Sequence, residues 1–283
     1  MASITAIKPS ISVEGQLPMI DIHAIVKIAV DAGEQIMAVY QQDFTVVNKQ
    51  DSSPLTDADM RAHHLICDRL AQLTPNIPVL SEESSAKDSL GRMEWTRYWL
   101  VDPLDGTKEF VKRNGEFTVN IALIDNGVPV MGVVHAPALG ISYWGERQRG
   151  AFKQVGQTAP SAIQTAQPPQ PGSRWRVVGS RSHASADFET FVTALPNAEL
   201  VSMGSSLKLC LVAEGAADLY PRFGPTSEWD TAAAQAVVEA AGGQVLRIPG
   251  LTTLRYNQDP LSLLNPWFIV CTQTHQDWAN IKV

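Results

Sequence analysis

The chain has 283 residues, 45% of them apolar and 18% charged, with a formal net charge of −7. That is enough material for one large domain or two packed halves with a substantial core. The acidic balance argues against a broad surface for nucleic acid polymers. Three widely spaced cysteines, Cys67, Cys210 and Cys271, make neither a metal-binding pair nor an even disulfide framework, and they fit a reducing cytoplasm. No apolar run is long enough to span a bilayer. Residues 1–18 lack the basic start and apolar block of a secretory leader and are expected to form a flexible extension.

Ile20 to Tyr40 carries a helical stripe of Ile22, Ile25, Val26, Ala29, Gly33, Ile36, Met37 and Tyr40. Gly33 on the apolar face predicts close packing against another element. A polar loop, Lys49 to Asp59, leads into a second helix ending near Leu73, with Leu65, Ile66, Leu70 and Leu73 as its buried side. Thr56 is the expected N-cap, with Asp57 and Asp59 in the first turn. Dipole complementation accounts comfortably for one of these aspartates and leaves Asp59 free for other work.

Pro78 to Ser84 reads as a short strand ending in Glu82 and Glu83, and Lys87 to Met93 as an exposed turn. Tyr98 to Val101 is a strand that runs into Asp102-Pro-Leu-Asp-Gly106. Pro103 breaks the ladder and Gly106 permits a sharp turn. Bringing Asp102 and Asp105 together without a cation is costly, because like charges in a cleft repel. A hard divalent ion such as Mg²⁺, which takes oxygen ligands, removes that cost. The Leu104 carbonyl is a further candidate ligand. The amides of Asp105 to Thr107 are also placed to open a short helix whose start attracts phosphate.

Phe117 to Ile124 and Val128 to Ala136 read as strands joined by an Asp125-Asn-Gly127 hairpin turn. Ile141 to Trp144 and Gly150 to Gln154 continue an antiparallel sheet. Gln157 to Gly172 is the expected long loop between halves. Beyond it strands and helices alternate, from Trp175 to Ile248 with a last strand at Trp267 to Cys271, which argues for an α/β second half. The expected organisation is therefore an extension at 1–18, an α+β half at 19–156 and an α/β half at 157–283.

Acidic residues cluster at element ends: Glu82-Glu83, Asp102 with Asp105, and Asp230 at the start of a helix. Together they offer ligands for two or three Mg²⁺ ions, one of them placed for displacement at phosphorus. Leu80-Ser-Glu-Glu-Ser84, Trp99-Leu-Val-Asp-Pro-Leu-Asp-Gly-Thr107 and Glu228-Trp-Asp-Thr-Ala-Ala233 resemble the metal-dependent phosphatases of the inositol monophosphatase family. The resemblance implies a layered αβαβα sandwich, with an antiparallel sheet in the N-terminal half and a mixed sheet in the C-terminal half. It also implies that Glu82, Asp102 and the Leu104 carbonyl hold one Mg²⁺, and that Asp102, Asp105 and Asp230 hold a second. A third ion would share Glu82. Thr107, hydrogen-bonded to Asp59, would orient and help deprotonate the attacking water.

Within that family Lys108 to Phe117, Ser180-Arg-Ser-His183, Gly204-Ser-Ser-Leu-Lys208 and Leu219 to Pro225 look like the branch that acts on nucleotide bisphosphates. That implies release of the 3′-phosphate from adenosine 3′,5′-bisphosphate, with the sulfated nucleotide as a second substrate. The implied subsite comprises His183, Ser205, Lys208 and Arg222, together with Asp105, Gly106, Thr107 and Asp230. The implied partner is a small nucleotide, and the implied state is a monomer or homodimer in the cytoplasm, free or at the inner face of the membrane. An inositol or sugar phosphate phosphatase is the alternative enzyme, and a non-catalytic phosphate sensor the alternative outside enzymes. One position departs from the family: Ala234 stands where Gly is common, which predicts tighter packing and retained activity. P-loop, zincin and dinucleotide-binding motifs are absent from the sequence.

Overall fold

The computed structural model describes residues 20–42, 54–85, 87–170, 173–180 and 185–281. Helix α1 (Ile22–Tyr40) starts on Asp21, whose side chain accepts from the His23 amide. Its stripe of Ile25, Ala29 and Ile36 is fully buried. A Cβ at Gly33 would meet the His135 ring at 2.7 Å, so the helix lies directly on the strand beneath it. Helix α2 (Pro54–Leu73) begins before Thr56. Proline lacks an amide hydrogen and has a helical φ preset, so it opens the helix and Thr56 falls inside the first turn instead of capping it. Ile66 and Leu70 are buried as expected, but Leu73 is 43% exposed because it closes the helix where the chain turns at Thr74.

The first sheet has the order β1-β2-β3-β4-β5-β6-β7, formed by β1 (Val79–Ser81), β2 (Arg97–Asp105), β3 (Thr118–Asp125), β4 (Val128–Ala136), β5 (Ile141–Glu146), β6 (Gly150–Val155) and β7 (Ser161–Ile163). It departs from the fully antiparallel sheet expected, because β1 pairs parallel with β2. β7 lies within the stretch expected to be a loop, and it pairs with β6 through Lys153↔Ser161 and Ala151↔Ile163. The short helix α3 (Thr107–Val111) follows β2.

Strand β2 reads as a continuous apolar run because both of its faces are covered. Trp99 and Val101 join α1 and α2 in one core, whereas Tyr98 and Leu100 face the opposite side. That opposite core also contains α5 (Leu207–Ala213), α6 (Ala232–Ala240) and the near face of a second sheet. The second sheet is mixed, in the order β12-β11-β13-β10-β8-β9. Its strands are β8 (Trp175–Ser180), β9 (Ala198–Met203), β10 (Leu219–Arg222), β11 (Gln244–Arg247), β12 (Thr252–Thr253) and β13 (Phe268–Cys271). Helices α4 (Ala186–Ala194) and α7 (Gln276–Ala279) contribute Phe191 and Trp278 to its outer core. The layers therefore alternate helix, sheet, helix, sheet, helix. Among the described residues no helix is long and apolar enough to cross a membrane.

The central helix layer sits unusually close to the first sheet. Gly132 and Gly145 are paired across β4 and β5. A Cβ at Gly132 would fall 2.2 Å from the Ala233 carbonyl oxygen, and one at Gly145 would fall 2.7 Å from the Val237 Cα. The small residues Ala232, Ala233, Ala234 and Ala236 of α6 fill this contact, and Ala234 is fully buried. Gly132→Ala is expected to force α6 off the sheet and lower stability by about 1–3 kcal/mol or more. Thermal unfolding checks this, and because α6 follows Asp230, activity should fall with it.

Candidate active site

The parallel pairing of β1 and β2 has a direct chemical result. Ser81 pairs with Val101, and the Glu82 amide donates to the Val101 carbonyl at 3.0 Å, so Glu82 and Asp102 leave adjacent strands at the same end. The β2–β3 ladder then skips from Asp102 to Asp105, leaving Pro103 and Leu104 outside it. Within this interruption the Leu104 amide donates to Asp102 Oδ1 at 3.0 Å. Leu104 itself is fully buried.

Gly106 ends the strand with φ +94° and serves as the N-cap of α3. A Cβ there would approach Ser205 Cβ to 3.1 Å and the Glu116 carbonyl oxygen to 3.2 Å. Glycine thus meets two demands at once, a left-handed backbone and a tight approach to the loop before α5. On that loop Ser205 also adopts a positive φ, 43°. Its hydroxyl accepts from the Thr118 hydroxyl at 3.3 Å. The Gly204 amide donates to Glu116 Oε2 at 2.8 Å.

Asp230 arrives from the other half of the chain, at the end of the 3-10 turn Glu228–Asp230. Its Oδ2 accepts from the Ser227 amide at 2.9 Å, closing a capping box. Asp102, Asp105 and Asp230 each present an oxygen, and these atoms lie within 4.8 Å of one another. Among the described residues no ion pair reaches any of the three.

Burial raises the Asp102 carboxyl well above the usual range, and Asp105, Glu82 and Asp230 add to it. Asp230 is pushed up to about 7 by burial and then by Asp105. Glu82 keeps contact with solvent, yet partial desolvation and the neighbouring Glu83 push it up, while a hydrogen bond with Asp102 opposes the shift. Asp59 is raised to about 8 by burial, then by the charges of Glu83 and Glu82. Its Oδ1 is buried and has no hydrogen-bond partner. Three converging oxygens, mutual repulsion that raises Asp102 and Asp230 and that Lys208 opposes only in part, and an unpartnered oxygen on buried Asp59 form a donor set suited to hard divalent ions. The residues present therefore fit such a group.

Thr107 stands exposed at the start of α3, and among the described residues no hydrogen bond joins it to Asp59. His183 lies outside the described residues. The remaining predicted side chains meet in a cleft of about 190 Å³ lined by Asp105, Gly106, Ser205, Lys208, Arg222 and Asp230, with Tyr220 and Phe268 as aromatic wall. Lys208 Nζ donates to the Ser205 carbonyl at 2.6 Å and lies 5.7 Å from the centre of the Tyr220 ring. Burial lowers its pKa. Arg222 donates through Nε to the Thr226 hydroxyl at 2.8 Å and through a terminal nitrogen to the Pro225 carbonyl at 2.7 Å.

Ser206, Asn120 and Glu116 also belong to this region and escape the sequence reading. Ser206 adjoins Ser205 in the same motif. Asn120 is a polar residue inside the apolar run of β3, which is the signal that could have drawn attention to it.

The five-layer sandwich and the acidic cluster at its strand ends define a class, and comparison with known proteins names it. The profile of the inositol monophosphatase family matches residues 20–280, and the chain belongs to that family. The chain is 50% identical over 248 residues to the 3'(2'),5'-bisphosphate nucleotidase CysQ of Escherichia coli O6:H1, covering 87% of this chain and 97% of that one. It is 35% identical over 262 residues to the CysQ of Haemophilus influenzae, covering 92% and 96%. The crystal structure of CysQ from Bacteroides thetaiotaomicron superposes with a TM-score of 0.79 at 42% identity, covering 89% of this chain and 97% of that one. Inositol monophosphatase from Anabaena shares the fold, with a TM-score of 0.68 at 23% identity over 89% of this chain and 90% of that one.

Proposed function

We propose that this protein is a metal-dependent phosphatase that hydrolyses the 3′-phosphate of adenosine 3′,5′-bisphosphate, giving AMP and phosphate, and that also accepts the 3′-phosphorylated adenylyl sulfate. One observation carries the reading beyond the family: a single cleft is lined both by carboxylates of the acidic cluster and by the cations Lys208 and Arg222. A substrate with one phosphate needs the carboxylates and their metal. A substrate with two phosphates also needs cations set apart from the reacting centre, and Arg222 and Lys208 have suitable chemistry. The names of the CysQ relatives agree with this choice over an inositol or sugar phosphate.

Asp102, Asp105 and Asp230 would hold Mg²⁺, with Glu82 and the Leu104 carbonyl completing the set for two or three ions. When bound, Mg²⁺ lowers the pKa of a coordinated water and neutralises charge on the transferring phosphoryl group. Asp59 would take the proton in its ionised form; burial and the charges of Glu83 and Glu82 disfavour that form in the metal-free protein, and bound cations would favour it. Thr107 would orient the water, together with the amides at the start of α3. Ser205, Lys208, Arg222 and His183 would hold the second phosphate and the nucleoside.

Phosphate release with Mg²⁺, compared over adenosine 3′,5′-bisphosphate, inositol phosphate and fructose bisphosphate, tests the reading. Preference for inositol phosphate overturns it. Arg222→Ala is expected to weaken use of the nucleotide bisphosphate by about 10- to 100-fold, the worth of a hydrogen bond to a charged group. Simple monophosphates should change little. Equal loss on both classes removes Arg222 from the subsite.

A further inference from the structure

Asp105 and Asp230 come from different halves of the chain, and one side chain touches both. The Ser206 amide donates to Asp105 Oδ2 at 2.6 Å, and the Ser206 hydroxyl lies 2.9 Å from the same oxygen. That hydroxyl is also 2.6 Å from the main-chain carbonyl oxygen of Asp230. On its remaining side it accepts from Asn120 Nδ2 at 2.9 Å. A hydroxyl has one proton to give and two lone pairs to fill. With Asn120 donating into it, its own proton is directed to Asp105 or to the Asp230 carbonyl, and both directions close on the acidic cluster.

Asn120 is an expensive residue at this position. It is 1% exposed, and its Oδ1 has no hydrogen-bond partner. Its strand neighbours Val119, Ile121 and Ala122 are all fully buried and apolar. An incompletely satisfied amide in such a place costs free energy that Leu or Val would not, so packing does not explain it. The register does: Asn120 is the cross-strand partner of Asp102, hence on the same face and beside the cluster.

We propose that Asn120 and Ser206 form a positioning pair that sets the Asp105 carboxylate and, through its main chain, Asp230 for the cation, so that one hydroxyl joins β2, α5 and the 3-10 turn carrying Asp230. This rests on the reading of Asp102, Asp105 and Asp230 as metal ligands given above. Neither residue touches substrate in this scheme. Their effect passes through the ligands, as hydrogen bonds to ligating carboxylates commonly do.

The test is calorimetric titration of Mg²⁺, without nucleotide, into the full chain and into Ser206→Ala, Asn120→Leu and the double variant, each first shown to melt cooperatively. Ser206→Ala should bind Mg²⁺ about 10- to 100-fold more weakly, and Asn120→Leu several-fold more weakly. The double variant should be no weaker than Ser206→Ala alone, because Asn120 acts only through that hydroxyl. In turnover the Mg²⁺ requirement should rise while KM for nucleotide at saturating Mg²⁺ stays within about twofold. If Ser206→Ala does not fold, Ser206→Cys, similar in size with a weak donor, takes its place with the same expectation. Folded variants that titrate like the parent, or a double variant whose losses simply add, overturn the pair. A parent chain that neither binds Mg²⁺ nor hydrolyses the bisphosphate overturns the functional reading instead.

Discussion

Asp102→Asn is expected to give a protein that melts higher than the parent in EDTA yet has lost its turnover. Asp102 is 1% exposed and sits among Asp105, Glu82 and Asp230. Its carboxyl is held well above the 3.8 of an ordinary aspartate, so the metal-free fold holds a proton there more tightly than the unfolded chain does. Each unit of such a shift corresponds to about 1.4 kcal/mol. Asparagine occupies the same space and has no such proton to keep. It also removes the anionic oxygen that a divalent ion would share. Activity should therefore fall well beyond the roughly 10- to 100-fold typical of substitutions that touch a metal only through its ligands. The rise in melting temperature that Mg²⁺ gives the parent should disappear. A scan in EDTA and in Mg²⁺, alongside phosphate release, reads all three quantities. Near-normal turnover would contradict the ligand assignment.

The second large effect is on pH dependence. In the metal-free protein Asp59 is raised to about 8 and Asp230 to about 7, in both cases first by burial and then by neighbouring carboxylates. A carboxyl with a raised folded-state pKa contributes stability that is full below its unfolded value and is lost as pH rises through its folded value. The melting temperature in EDTA should therefore fall between about pH 5 and pH 8, by several degrees on the usual scale for a chain of this size. With saturating Mg²⁺ the same interval should be flat or rising, because the ion favours the deprotonated set. Proton release on binding follows, and it should appear at pH 7 as a titration enthalpy that scales with the buffer's heat of ionisation. A metal-free melting temperature that climbs across this interval would show that the carboxylates are not crowded as described.

The helical stripe of α1, the close approach at Gly33, the hairpin at Asp125–Gly127 and the alternation after Trp175 are legible in the sequence because periodicity and turn chemistry are local. The direction of β1 is not. Three residues carry no record of whether their neighbour runs parallel, so the sheet reads as wholly antiparallel until Ser81 is seen opposite Val101. β7 is hidden for a related reason: an exposed edge strand of three residues among prolines and glutamines looks like loop. In the site, the acidic residues stand out at element ends, where charge is easily noticed. Ser206 and Asn120 do not, because their meaning depends on a contact spanning 86 residues. The expected Thr107–Asp59 hydrogen bond comes from resemblance alone, and among the described residues none joins the two side chains.

Because α5 and α6 are shared by both sheets, Tyr98 and Leu100 from one half and Val178 and Val270 from the other belong to a single interior. Neither half owns a private hydrophobic centre on that side. A chain cut between them would leave each fragment with a bare apolar wall, and ribosomal synthesis would expose the first wall until the last strands emerge. The architecture that joins the acidic ligands thus also makes the earliest-made portion dependent on the latest.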